Sequence, residues 1–94
     1  MITRIVKMTF KEGKENDFLE IFRENENKIR NFDGCSHLEL WNDIHKPGIF
    51  FTYSIWKSED HLKSYRNSEL FEKVWEKTAA LFSEKAEAWS LNKQ

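Results

Sequence analysis

The stretch FFTYSIWKSEDHLKSYRNSELF, residues 50–71, decides the fold of this chain. Aromatic and β-branched residues dominate 50–56, which predicts a strand with a half-buried, pleated surface. Ser58 ends that strand and predicts a helix start, because a serine hydroxyl accepts hydrogen bonds from the free N–H groups of a first helical turn. Ser68 repeats the same signal. We therefore expect a short helix at about 59–66, followed at once by a second helix.

That second helix is expected at about 69–82, where an apolar stripe recurs with helical spacing and charged residues surround it. A similar stripe predicts an earlier helix between Gly13 and Gly34, and Gly34 is expected to supply the left-handed cap at its end. Apolar residues with a period of two predict three further strands, at residues 2–10, 35–42 and 86–91.

The element order β-α-β-β-α-α-β predicts a single α+β domain over residues 1–94, with a ferredoxin-like antiparallel sheet covered by helices on one side. The other face of the sheet is expected to carry Ile5, His37 and Trp41, which are too apolar to face water as one patch. The 94 residues include eight Phe, four Trp and two Tyr, more aromatic surface than a small monomer hides easily. The composition thus favours a partner subunit or a ligand cavity.

Charge and composition exclude several classes of protein. The net charge is −1, with acidic and basic residues interleaved, so the chain lacks the basic stripe that attracts nucleic acid. No apolar run approaches the roughly 18 residues of a membrane span, and the N-terminus lacks the features of a cleaved leader. We therefore expect a soluble, cytoplasmic protein. Cys35 is the single cysteine, which leaves a buried free thiol, a reactive thiol or an intersubunit bridge as alternatives.

The same central stretch resembles the antibiotic biosynthesis monooxygenase family, in which a strand ending in Tyr and Trp precedes a Ser-Glu pair and a Ser-x-x-Phe helix. The residues that carry the resemblance are Tyr53, Trp56, Ser58, Glu59, Leu62, Ser68 and Phe71. Gly13, the segment 32–35 and Trp89 extend it over nearly the whole chain. The resemblance implies a homodimer that joins two sheets through their open faces as a dimeric α/β barrel. It also implies a pocket inside each subunit, between helices and sheet.

By the resemblance, that pocket binds a small aromatic molecule and Tyr65 is the expected catalytic residue, since its phenol can donate to or accept from a phenolic substrate. The alternative for Tyr65 is a ring packed in the core with its hydroxyl at the surface, and each of the other pocket residues also has a plain alternative role in the core or at the surface. The expected substrate-binding residues are Val6, Met8, Phe22, Ser54, His61, Phe71 and Trp75.

Two departures from the family pattern bear on chemistry. Many members have a glutamate near the position of Ser54 and a histidine near that of Tyr65, and this chain has neither. Haem-degrading relatives use an asparagine, a tryptophan and a histidine where this chain has Val6, Tyr65 and Trp75, so we expect no haem. The three histidines lack metal-ligand spacing, and no nucleotide-binding motif occurs, so no cofactor or metal is expected.

Two functions follow as hypotheses. The first is a cofactor-independent monooxygenase that acts on an electron-rich aromatic such as a quinol or an anthrone-like phenol. The second is a homodimer of the same fold that binds a small molecule, or serves a structural role, without catalysis. The missing glutamate and histidine favour the second, and an open cavity beside Tyr65 would favour the first.

Overall fold

The structure of the protein, a computed structural model, describes residues 1–94. It contains four strands and three helices in the predicted order, namely β1 (Ile2–Thr9), α1 (Glu15–Arg30), β2 (Cys35–Asn42), β3 (Ile49–Trp56), α2 (Glu59–Arg66), α3 (Glu69–Ala79) and β4 (Glu87–Leu91). The prediction of a ferredoxin-like α+β domain is confirmed. No helix has the length and apolar character needed to cross a membrane.

The four strands form one antiparallel sheet in the order β2-β3-β1-β4. Strands β3 and β1 are therefore central, with β2 at one edge of the sheet and β4 at the other. Because paired residues of neighbouring strands point to the same face, Arg4 of β1 shares the helix-facing side with its partners Ser54 of β3 and Ser90 of β4. This register places all three side chains on the face of the sheet that the helices cover.

The serine caps that the sequence indicated form as expected. Ser58 Oγ accepts from the backbone N–H of His61 at 3.2 Å, and Ser68 Oγ accepts from the N–H of Phe71 at 3.1 Å. Each hydroxyl satisfies a donor that a helix start leaves free. Ser58 thus marks the start of α2, and Ser68 marks the start of α3 and separates the two helices.

Helix α3 is shorter than predicted, ending at Ala79 rather than near residue 82. The apolar stripe does continue through Leu81 and Phe82, but there the backbone pairs with the end of β1. Lys11 N–H donates to the Leu81 carbonyl at 2.9 Å, and Phe82 forms a β-bridge with Phe10. Tertiary pairing thus removes these apolar residues from the helix while they still pack on the core.

The prediction that Gly34 caps α1 was wrong. The helix ends at Arg30 with Asn31 at its cap position, and Gly34 lies in the turn that follows, at φ +89°. A side chain there would be strained, and a Cβ would lie 2.4 Å from the ring of His61. Glycine is needed because α2 packs directly on this turn.

Four phenylalanine rings fill one end of the space between helices and sheet, which we call the phenylalanine end. Phe10 stacks on Phe18 with centroids 4.4 Å apart, and it also contacts Phe50 at 5.8 Å and Phe82 at 5.4 Å. Phe10, Phe18 and Phe50 are almost fully buried. This end is close-packed core, and the cavity lies toward the opposite end of the same interface.

Candidate functional site

A cavity of about 310 Å³ lies between the three helices and the helix-facing side of the sheet. Its walls are mostly apolar, and its volume is at the lower end of the roughly 300 to 1,000 Å³ of small-molecule sites. The phenylalanine end closes it on one side. The C-terminal end of α2 and the edge strand β4 border it on the other side.

The structure gathers seven of the eight predicted site residues around this one cavity. The seven are Val6, Met8, Phe22, Ser54, Tyr65, Phe71 and Trp75. His61 does not line it. Its Nδ1 lies 2.6 Å from Ser58 Oγ, its Nε2 is 3.8 Å from a carboxylate oxygen of Asp33, and its ring packs on the turn at Gly34. His61 therefore links the start of α2 to the turn that precedes β2.

Tyr65 stands in the wall of the cavity, held among other rings. It stacks on Trp56 with centroids 4.9 Å apart and meets Phe71 edge to face at 5.2 Å and Phe32 at 5.3 Å. Burial, reinforced by the charge of Cys35, raises the pKa of Tyr65 well above its ordinary value. The phenol thus stays protonated near neutral pH, and it can donate a hydrogen bond but is poorly suited to act as a base.

No hydrogen bond inside the chain engages the hydroxyl of Tyr65, yet no buried side-chain polar atom lacks a partner. The hydroxyl must therefore keep accessible surface, and the cavity is where its side chain lies. A protonated donor in an apolar cavity gives a bound molecule a fixed point of attachment.

Ser54 is the polar residue of the cavity with the best-defined partner. It is buried, and its Oγ accepts from the indole N–H of Trp56 at 2.9 Å. That bond satisfies the indole of the most deeply buried side chain in the protein and holds the ring on which Tyr65 stacks. Ser54 thus helps to orient the tyrosine, whether or not it contacts a ligand.

Two features of the cavity were missed by sequence reasoning. The first is β4, whose helix-facing positions carry only small side chains, Ala88 and Ser90, with Ala86 just before the strand. Small residues at alternate positions 86, 88 and 90 were the available signal. Their meaning appears only once the register places Ala88 opposite Val6, where a larger side chain would fill the cavity.

The second missed feature is a pair of arginines, Arg4 and Arg66, which both line the cavity. Arg4 donates to Ser90 Oγ at 2.9 Å. Desolvation, and then the charge of Arg66, lowers the pKa of Arg4, which means that the two cations act on each other. No Asp or Glu lines the cavity.

The chemistry available to the site is therefore limited to binding, orientation, hydrogen-bond donation and positive charge. Its polar groups are the Tyr65 phenol, two arginines, the indole N–H groups of Trp56 and Trp75 and the hydroxyls of Thr52, Ser54 and Thr78, with no imidazole or carboxylate among them. The structure contains no group of three or more His, Cys, Asp or Glu side chains that could hold a metal ion.

Comparison with known proteins identifies a matching family. The family model described as "Antibiotic biosynthesis monooxygenase" matches residues 1–77, most of the 94-residue chain. The matched part includes β1, α1, β2, β3, α2 and most of α3. No functionally curated protein matches the chain.

Solved structures agree on the fold. A crystal structure described as an antibiotic biosynthesis monooxygenase superimposes with a TM-score of 0.94 at 20% identity, covering 100% of this chain and 99% of that one. A conserved protein from Methanosarcina mazei Go1 gives a TM-score of 0.92 at 19% identity, covering 100% and 94%. At such identities the likeness establishes the fold, and any activity must be argued from the site.

Proposed function

The chain belongs to the antibiotic biosynthesis monooxygenase family, and from that premise we propose that its cavity binds a small electron-rich aromatic, such as a quinol or an anthrone-like phenol, and promotes its oxygenation by O₂ without a cofactor. The observation that carries the proposal is the open cavity itself, of about 310 Å³, with Tyr65 in its wall. A family fold whose interior was plugged by its own aromatic residues would not support it.

The proposed reaction needs no redox group from the protein. A quinol that has lost a hydroxyl proton to solvent is electron-rich enough to pass one electron to O₂, and the two radicals then combine through a new C–O bond. Loss of water from the resulting hydroperoxide leaves a hydroxyquinone, so one O₂ per quinol yields one hydroxyquinone and one water. One oxygen atom enters the product and the other leaves as water.

The role of the protein in that reaction is to bind, orient and desolvate the substrate. The rings of Trp56, Phe71 and Trp75 offer faces and edges against which a planar molecule packs. Tyr65, kept protonated by its burial, donates a hydrogen bond to a substrate oxygen. We assign Tyr65 this donor role because its raised pKa makes it unsuitable as a general base near neutral pH.

A second candidate function is ligand binding without catalysis, and one observation favours it. The cavity holds neither a carboxylate nor an imidazole, so no group in it can take a proton from the substrate near neutral pH. A protein of this kind would bind the same aromatic class and leave O₂ unconsumed.

We further propose that the open face of the sheet is covered by a second copy of the chain. On this face Trp41 stacks with Tyr53 at 6.3 Å, and Trp41, Trp89 and Leu91 remain 59%, 42% and 48% exposed. Together they form an apolar patch of the kind that marks an interface. Sedimentation of the wild type should give a dimer, and Trp41→Glu should give the 11.4 kDa monomer. A monomeric wild type would contradict this assembly.

Oxygen uptake by the purified protein tests the catalytic proposal. We expect uptake above the spontaneous rate for at least one member of a panel of hydroquinones and anthrones, with a loss of about tenfold or more in Tyr65→Phe because a donor to the developing charge is removed. Tyr53→Phe is the matched control, since it removes the only other phenol, on the opposite face of the sheet.

The outcomes separate the two candidates. Uptake that falls in Tyr65→Phe and not in Tyr53→Phe supports the oxygenase. Binding by calorimetry with no protein-dependent uptake across the panel would instead favour the non-catalytic candidate. Uptake that is equal in both variants would leave an oxygenase in which Tyr65 has no role.

A further inference from the structure

Arg4 and Arg66 are the only charged residues that line the cavity, in a chain whose acidic residues outnumber its lysines and arginines by 16 to 15. Neither guanidinium takes part in any of the ion pairs within 4 Å, which involve Lys14, Arg23, Arg30, Lys73 and two histidines instead. Other cations without an ion pair, such as Lys28 and Lys77, lie elsewhere on the helices and do not line the cavity. Arg4 and Arg66 are distinctive because they lie together in the wall of a mostly apolar cavity that contains no carboxylate.

Such an arrangement costs free energy in the empty protein. A partly buried cation loses hydration, and two cations close together repel each other. Both effects act on Arg4, because desolvation and then the charge of Arg66 lower its pKa. An anion that contacts both guanidinium groups would offset both costs, because it neutralises the repulsion and replaces lost water contacts with charge-assisted hydrogen bonds.

We propose that Arg4 and Arg66 bind a carboxylate substituent of the aromatic ligand, so that the ligand class is an aromatic acid rather than a neutral phenol. The inference rests on the proposed function only in taking the cavity as the ligand site; it holds for either candidate function. Guanidinium groups suit this role because their planar N–H donors match the two oxygens of a carboxylate.

The positions of the two side chains fit a ligand held at both ends. Arg4 is held by its hydrogen bond to Ser90 Oγ on β4, which orients the guanidinium before a ligand arrives. Arg66 is the last residue of α2 and is exposed, so it stands where the cavity meets solvent and can close on the carboxylate. Tyr65 precedes it directly in the chain and lies deeper. A ring oxygen would then meet Tyr65 while the carboxylate remains at the arginines.

Calorimetry without oxygen tests the inference independently of turnover. The probes are 2,5-dihydroxybenzoic acid, its methyl ester and hydroquinone, which share the ring hydroxyls and differ in the carboxylate. At pH 7 we expect the acid to bind at least about tenfold more tightly than the ester, as a charge-assisted contact would give. Raising the salt concentration should reduce this difference in affinity between acid and ester, because Arg66 is exposed to solvent and its charge is screened.

The variants Arg4→Gln and Arg66→Gln should each bring acid and ester close to equal affinity, while leaving the affinity for the ester within about threefold. Arg66→Gln alters an exposed side chain and should fold normally. Arg4→Lys retains the charge if Arg4→Gln proves unstable, and it should keep part of the preference. Arg23→Gln, on the outer surface of α1 and paired with Glu26, is the matched control and should keep all of it.

The possible results either support or overturn the carboxylate site. Equal binding of acid and ester to the wild type would overturn the inference, as would a preference that survives in both glutamine variants. Hydroquinone binding that tightens as a ring hydroxyl ionises, with no preference for the acid, would assign the arginines to a phenolate and also overturn it. A preference for the acid with no oxygen uptake would retain the carboxylate site and reject the oxygenase. Oxygen uptake with no preference for the acid would retain the oxygenase and reject the carboxylate site.

Discussion

The two ends of the space between helices and sheet are built from similar residue types but differ in packing. At the phenylalanine end, the rings of Phe10, Phe18 and Phe50 lie within 4.4 to 5.8 Å of one another and are nearly inaccessible. At the cavity end, Tyr65 and Trp75 are equally large but border an open volume of about 310 Å³. Aromatic content alone therefore does not distinguish core from site.

The difference comes from the strand that faces each set of rings. Phe10 follows directly after β1 and Phe50 lies near the start of the adjacent β3, so at that end the sheet side supplies its own large side chains. Toward the cavity the edge strand supplies Ala88 and Ser90 instead. Large side chains on the helices then meet small ones on the sheet, and the space between them remains open. The sheet, more than the helices, decides where the interior is closed.

The largest expected effect is on stability, from Phe10→Ala. Removing a ring from close-packed core should lower the free energy of unfolding by about 3 to 5 kcal/mol. The variant loses the free energy gained by burying the ring, and the cavity that remains destabilises the folded protein further. Phe71→Ala, at the cavity end, should cost at least about 1 kcal/mol less, since the ring there already borders open space. Urea unfolding of both variants measures the difference, and equal losses would mean that the two ends are packed alike.

A smaller effect should come from closing the cavity with Ala88→Leu. The larger side chain would occupy the space opposite Val6, so the affinity for the tightest ligand of the panel should fall at least about tenfold, or about 1.4 kcal/mol. Stability should change by less than about 1 kcal/mol, because Ala88 lies on the exposed edge strand.

Ala88→Ser is the control, since it barely changes the volume and should bind like the wild type. A leucine variant with undiminished affinity in calorimetry would place the ligand outside this cavity.

The smallest effect concerns pH and Tyr65. Burial raises the pKa of this tyrosine in the folded protein, while in the unfolded chain it is near 10. Above about pH 10 the unfolded chain releases the proton and the folded protein keeps it, so the stabilising contribution is complete below pH 10 and is lost as pH rises.

The loss attributable to Tyr65 should approach about 1.4 kcal/mol per pH unit at most. Comparing urea unfolding of the wild type and Tyr65→Phe at pH 9 and pH 11 isolates it, because the variant should lose less stability over that interval. An identical loss in both proteins would show that Tyr65 reaches solvent as readily as a tyrosine of the unfolded chain.

Much of the fold could be predicted because its signals are local. The bounds of α2 were predicted to the residue, since serine caps and an apolar stripe act within a few residues of each other. The end of α3 was not, because pairing of residues 81 and 82 with the end of β1 depends on chain segments about seventy residues apart. Gly34 was assigned the wrong role for a similar reason, as the need for glycine there comes from His61 on another element.

The candidate site was predictable only in its apolar part. Residues such as Phe22, Phe71 and Trp75 fall on inward-facing stripes, and any inward position near the middle of the sheet has a good chance of lining the cavity. Arg4 gave no comparable signal, since an isolated arginine in a strand usually faces water. Only the register, which places it beside Ser90 and on the helix side, shows that it points to the cavity.

The edge strand β4 has a consequence for how this protein could diversify. Its residues 87–91 lie outside the segment 1–77 that matches the family, and all five of its positions are exposed. Substitutions there can alter the width of the cavity while the caps, the helices and the central strands remain as they are. The width of the cavity can thus be varied apart from the core, and libraries that change the size of the ligand are best confined to positions 86 and 88, which line the cavity.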